Sequence, residues 1–305
     1  MALQNNHITV GGHRHRYVET GQGQSTLLLV HGISSSLDFF EQVIPLLAKS
    51  FRVLAIDLLG FGGSDKPEGK EYSLKLYTGL IREFLEKTGS IGSRPLYAAG
   101  HSMGGKYVLA TAIEHPEIFD KLVLSNTDGF LTLPSVASSL SLPGVRHVLK
   151  PLLTGERMAE KMLASAFHNP QLVDKNTYRK ILEVAKDKEA FDTVMALNRN
   201  LKKLDMQRTG LRSRLGELQL PVLIIWGDKD RYMPPRLAQV VQREIPRSQL
   251  VMFRECGHSP MLEYPEQFSS AITDFILSKQ PSQDSSCSLH SKESTAQENR
   301  HRRQR

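Results

Sequence analysis

The sequence predicts an α/β fold, a mostly parallel sheet covered by helices, with an all-helical segment inserted late in the chain. Three observations carry this. Residues 1–128 alternate short, wholly apolar runs with helix-like segments, and the same alternation resumes from about residue 220 to residue 278. Between them, residues 129–215 lose the strand signal and read as several helices broken at Pro134, Pro143, Pro151 and Pro170. Apolar runs without a polar alternate residue are what strands buried on both faces of a sheet require. At 305 residues and 40% hydrophobic, the chain can close one sizeable core plus a small inserted lobe.

Taken in order, the elements lead to three loops with chemistry in them. Leu27, Leu28, Leu29 and Val30 form a buried strand that runs into His31-Gly32-Ile33. Residues 95–99 form a second strand, ending in Gly100-His101-Ser102-Met103-Gly104-Gly105, and a helix over 103–114 follows until His115-Pro116 stops it. A serine between strand and helix, with glycines two residues before and after, has the setting of a nucleophile elbow. The turn lifts the hydroxyl out of the chain, and a Cβ at either glycine would collide. Helices over 154–167, 171–186 and 189–201 occupy the insertion, above strand ends where open α/β sheets bind ligands. Residues 221–226 form the next strand, ending in Gly227-Asp228-Lys229-Asp230-Arg231, and residues 249–253 form the last, followed by Cys256-Gly257-His258-Ser259-Pro260.

The chain order is therefore serine, acid, histidine. Ser102 would attack a carbonyl, His258 would take and return its proton, and an acidic residue at the strand end would orient the imidazole. Two backbone N–H groups must face the oxyanion, and Met103 and Ile33 stand in place to supply them. His31, Gly32, Ser34 and His101 flank this centre as substrate-side candidates. The structural alternatives are that His31 braces the oxyanion loop and that His101 is packed or hydrogen-bonded. Ser34-Ser35-Ser36 reads equally as pocket lining or polar turn. Cys256 reads as a small buried thiol rather than a second nucleophile.

Through His31-Gly32, Asp57-Leu58-Leu59-Gly60-Phe61-Gly62-Gly63-Ser64, Gly100 to Gly105, Trp226 to Pro234 and Gly257-His258, the chain closely resembles the α/β-hydrolase superfamily over about residues 6–278. It is most similar to the cap-bearing, carboxylesterase-like branch of serine hydrolases. The resemblance implies an α/β-hydrolase fold of eight mostly parallel strands, with a core of 1–128 and 216–278 and a helical cap of 129–215. It also implies that the acid stands three residues after the strand-end glycine with a proline four residues later. Gly227, Asp230 and Pro234 fit that register. Asp228 and Asp128 are the rivals, one by a shift within the loop and one because some relatives place the acid after the preceding strand. Serine at the elbow argues against the epoxide hydrolases and dehalogenases of this branch, which carry aspartate. Carbon–carbon hydrolases of ring-cleavage pathways use serine, but usually read Asn-Ser-Met-Gly-Gly and follow the last histidine with tryptophan, where this chain has His101 and Ser259. They are the second expectation, and a ligand-binding receptor without turnover on the same fold is the third.

The rest of the sequence sets boundaries. No His, Cys or acidic cluster has metal-ligand spacing, so neither metal nor cofactor is expected. Two cysteines, Cys256 and Cys287, make no disulfide framework, and no signal segment or run of eighteen apolar residues occurs, which predicts a soluble cytoplasmic protein. Residues 146–214 hold 15 Lys or Arg against 8 Asp or Glu. Arg146, Lys150, Arg199, Lys202 and Lys203 would draw in an anionic substrate or weakly hold a negative membrane surface, or else form a solvated basic face. No nucleic-acid reader motif accompanies them. Residues 279–305 are polar and basic and are expected to be a disordered tail, dispensable for ester cleavage. Leu140, Leu142, Val145, Val148, Leu149, Leu152, Leu153, Met158, Met162 and Phe167 would line an acyl tunnel or join cap to sheet, which favours a lipophilic acyl ester as the small-molecule partner. The sequence leaves the oligomeric state open.

Overall fold

The computed structural model describes residues 3–92, 95–131 and 141–278. The expected tail, with Cys287, and Leu140 of the expected tunnel lie outside them. The chain opens with a hairpin of β1 (Asn5–Val10) and β2 (His13–Thr20), followed by β3 (Thr26–Val30), a short helix α1 (Ile44–Leu47) and β4 (Arg52–Ile56). Next come α2 (Leu74–Lys87), β5 (Leu96–His101), α3 (Met103–Glu114) and β6 (Lys121–Ser125). Among the described residues five helices then intervene: α4 (Pro143–Leu153), α5 (Glu156–Ser165), α6 (Lys175–Ala185), α7 (Lys188–Arg199) and α8 (Leu201–Leu204). The chain returns through β7 (Val222–Gly227), α9 (Arg236–Glu244), β8 (Ser248–Phe253), α10 (Pro260–Glu263) and α11 (Pro265–Leu277).

The eight strands among the described residues form one sheet in the order β1-β2-β4-β3-β5-β6-β7-β8. β1, β2 and β4 pair antiparallel, and every pair from β4 through β3 to β8 is parallel. This is the α/β-hydrolase sheet. The alternation within β3 shows why its residues are apolar throughout. Leu28 and Val30 enter the core on one face of the sheet, whereas Leu27 and Leu29 enter the core on the other. Helices cover both faces, so neither set of side chains reaches water.

One polar knot at the sheet end positions the loops. Asp57, fully buried after β4, accepts hydrogen bonds from Arg16 Nε of β2 (2.5 Å), Leu37 N (2.7 Å) and Gly63 N (2.6 Å). Arg16 also reaches Asp38 (2.5 Å). A buried carboxylate is tolerated only when paired and hydrogen-bonded, and here that pairing ties the loops after β3 and β4 to the hairpin. The hairpin itself, rich in histidine and arginine, carries no apolar run and was not legible as strand.

The outer face of α4 departs from expectation. Leu142, Val145, Val148 and Leu152 are exposed, so they neither line a tunnel nor join the insertion to the sheet. α4 packs on α5 and α7 with its other side, leaving this stripe outward. Leu153 and Met162 do line the cavity described below, and Phe167 is buried in the core.

Candidate active site

Ser102 ends β5 and begins α3 with a backbone φ of 52° and ψ of −119°. That left-handed value costs a non-glycine residue of order 1–3 kcal/mol, and the surroundings hold it. Ser102 N donates to Ser125 O (2.9 Å), while Ser102 O accepts from Asp128 N (3.1 Å) and Lys106 N (3.3 Å). The two flanking glycines are required by contact. A Cβ on Gly100 would lie 2.5 Å from Gly104 O, and one on Gly104 would lie 2.2 Å from Val30 O. Met103 opens α3, so its N–H has no partner one turn earlier in the helix and points along the positive end of the helix dipole.

The loop after β3 lies beside the serine, since a Cβ on Gly32 would sit 3.1 Å from Ser102 Cβ. His31 shapes that loop. Its Nε2 accepts from Leu58 N (2.9 Å), which fixes Nδ1 as the donor to Gly32 O (2.7 Å). Burial, outweighing nearby Asp57, lowers the His31 pKa and keeps the ring neutral. Ser34, at φ 49°, and Ser35 line the cavity, whereas Ser36 Oγ accepts from Asp38 N (3.3 Å) and caps the turn at 37–40. The serine run thus serves both purposes.

Opposite, His258 Nδ1 meets Asp230 Oδ2 at 2.8 Å. Asp230 is buried, and its second oxygen accepts from Tyr232 N (2.8 Å) and Met233 N (2.9 Å). Burial alone would raise its pKa, but the hydrogen bonds from His258 and Asn126 outweigh it and hold the carboxyl below its usual value. The rivals face elsewhere. Asp128 is 2.5 Å from Lys106 Nζ and accepts from Gly129 N (2.6 Å), and Asp228 lies against Cys256 N (3.4 Å) and Lys229 (3.5 Å). Cys256 is fully buried, and burial beside Glu263 pushes its thiol pKa up, far from a thiolate.

His101 lies between these parts. Its Nε2 donates to the backbone oxygen of His258 (2.8 Å), its ring stacks on Phe39, and burial with the neighbouring His258 lowers its pKa to about 3. It supports the His258 backbone while one ring face borders the cavity.

Several supporting residues escaped sequence reasoning. Asn126 Nδ2 donates to Asp230 Oδ2 (2.7 Å). Trp226 Nε1 donates to Met233 O (2.9 Å), which fastens the Asp230 loop. Glu263, buried in α10, accepts from Gly257 N (2.7 Å), His168 N (2.9 Å) and Asn169 N (2.8 Å). His258 N also donates to Ala166 O (2.7 Å). The histidine loop is thereby sewn to the segment that follows α5. Only the run of polar residues at Ser125-Asn126-Thr127-Asp128 after β6 hinted at any of this.

Two cavities meet at Ser102. The first, about 290 Å³, lies under α5, α6 and α7 and contains Ser102 and His258 among mostly apolar neighbours such as Leu163, Phe191 and Met195. The second, about 220 Å³, extends from Ser102 past Lys106 and Asp128 toward α8 and Arg208. Ile33 and Met233 border both. Among the described residues, no three His, Cys, Asp or Glu side chains gather as metal ligands, and no helix is long and apolar enough to cross a membrane.

This sheet, with serine at a β5–α3 elbow and a paired histidine at the far loop, defines a class. The profile of the alpha/beta hydrolase fold family matches residues 25–265, and the chain belongs to that family. It is 30% identical over 256 residues to an uncharacterized hydrolase, YugF, of Bacillus subtilis, covering 83% of this chain and 90% of that one. It is 28% identical over 239 residues to lipase 3 of a Moraxella species, covering 78% and 72%. It is also 28% identical over 272 residues to a 2-hydroxy-6-oxononadienedioate/2-hydroxy-6-oxononatrienedioate hydrolase of Cupriavidus pinatubonensis, covering 85% and 89%.

Proposed function

We propose that the protein is a serine hydrolase of carboxylic esters with a lipophilic, medium-chain acyl group. The observation that carries this reading is the buried Asp230–His258 pair, 2.8 Å apart, in the same apolar cavity as a strained Ser102. With its Nδ1 proton committed to the Asp230 carboxylate, His258 presents Nε2 as the base. Nε2 takes the Ser102 proton as Oγ attacks the ester carbon, and the oxyanion is held by the N–H groups of Ile33 and Met103. Imidazolium then returns its proton to the departing alkoxide, which leaves Ser102 acylated. Water, deprotonated by the same imidazole, releases the acid and regenerates the serine. The lipase relative supports ester cleavage, and the apolar first cavity supports a lipophilic acyl chain.

Hydrolysis of p-nitrophenyl esters from acetate to palmitate tests this. The wild type is expected to show an optimum at intermediate chain length, with the rate lost in Ser102→Ala and reduced about 10⁴-fold in Asp230→Asn. The Cupriavidus relative supports a second reading, carbon–carbon cleavage of a vinylogous diketo acid, with a basic residue of the inserted helices on the acid group. Ser102-dependent turnover of such a dienoate, with none of any ester, would establish it in place of the first.

A further inference from the structure

The second cavity has a feature that acyl chemistry leaves unused. Lys106 sits in the first turn of α3, four residues from Ser102, and both side chains border this cavity. The Lys106 side chain is only 11% exposed, and its ammonium is bound to Asp128, whose side chain is 26% exposed. Among the described residues of its mostly apolar walls, the other charged groups on this cavity are Asp205 and Arg208, which lie 3.9 Å apart. Each cation therefore already faces a carboxylate.

Such a pair does not suit an anion, because the carboxylate already bound to each cation repels a second negative charge brought to it. A simple alkyl group leaves the pair without new hydrogen bonds and strips its water. A hydroxyl suits it, because it donates to carboxylate and accepts from ammonium at once. The ammonium carries three N–H donors, and Asp128 Oδ2 engages one of them. Resting on the ester reading above, we propose that Lys106 and Asp128 form a leaving-group site selecting neutral, hydroxyl-bearing alcohols. The acyl chain occupies the first cavity, and a polyol such as a glyceryl group occupies the second.

The test compares three octanoate esters, of glycerol, of 1-butanol and of glycolate, by kcat/KM in the wild type, Lys106→Met and Asp128→Asn. Glyceryl octanoate is expected to be preferred over butyl octanoate by about tenfold or more, with the glycolate ester the poorest. In both variants the glyceryl-to-butyl ratio is expected to approach one. Because the ratio is taken within one preparation, partial misfolding cancels. Should neither variant fold, product inhibition of the wild type decides, with glycerol expected to inhibit at lower concentration than 1-butanol. An unchanged ratio in the variants, stronger inhibition by butanol, or a preference for the glycolate ester would overturn the proposal while ester hydrolysis stood. Absence of Ser102-dependent hydrolysis of every ester, p-nitrophenyl octanoate included, would overturn the ester reading and this site with it.

Discussion

His101 shows how a side chain next to the candidate nucleophile can act through the backbone of its partner residue. Its ring is buried and neutral with a pKa lowered to about 3, and its Nε2 holds the backbone of His258. An unfolded chain takes up a proton at this residue below a pH of about 6.5, which the folded chain refuses. Stability from this group is therefore full above that pH and falls as the pH drops toward 3, by up to about 1.4 kcal/mol per unit. His31, whose pKa is also lowered, adds in the same direction. The variant His101→Gln, which retains a donor toward His258 O, is expected to show a shallower loss of stability between pH 7 and pH 4.5 in urea unfolding. An unchanged slope would assign the acid sensitivity to other groups. The sequence made Ser102 and His258 legible because their neighbours obey local rules: glycines at 100 and 104, and a glycine before the histidine after a final strand. Asn126 was not legible, since its partner Asp230 lies 104 residues away and no local pattern marks an amide as a brace.

At the scale of elements, the loop bearing His258 depends on α10 for its position. Glu263 accepts three backbone N–H groups, one from that loop and two from the segment after α5. Burial raises its pKa, against the pull of those bonds. Glutamine in its place has one acceptor oxygen and turns an amide toward donors, so Glu263→Gln is expected to cost about 2–4 kcal/mol, read from the urea midpoint. It is also expected to lower kcat more than it raises KM, because the imidazole and not the acyl pocket is released. The strands β3, β5 and β7 were legible to within a residue or two because burial on both sheet faces leaves an unbroken apolar signature, while β8, a partly exposed edge strand, showed only its run Leu250 to Phe253, and α3 was marked by the glycine turn before it and His115-Pro116 after it. β1 and β2 carry no such signature, being an edge hairpin whose polar residues face water or the Asp57 knot. α4 misled for the opposite reason: its leucines and valines obey helical periodicity, but its neighbours cover one side alone.

Across the whole molecule, the surplus of cations in residues 146–214 has a use that sequence could not show. Lys180 pairs with Glu41 (2.5 Å) and Lys203 with Glu71 (2.6 Å), both bridging the inserted helices to the sheet's own loops, and Lys150 pairs with Asp192 (2.5 Å) between α4 and α7. Each such exposed pair contributes little, about 0–1 kcal/mol, but together they leave less free charge for an anionic surface than the composition implies. Arg199 borders a separate polar cavity beside Lys66 and Glu68, away from Ser102. The two unequal cavities that meet at Ser102 have a geometric consequence of their own. From Ser102 one cavity leads under α7 and the other past Lys106, and in the proposed mechanism the N–H groups of Ile33 and Met103 hold the oxyanion between them. In the proposed pose the stereocentre of a secondary alcohol lies in the second cavity among unlike groups, the Lys106–Asp128 pair and apolar neighbours such as Leu201 and Leu204, so its two mirror images cannot fit there equally well. A racemic ester of a secondary alcohol is expected to leave one enantiomer in excess at half conversion on a chiral column, and a racemic remainder would count against a close fit of the alcohol in the second cavity.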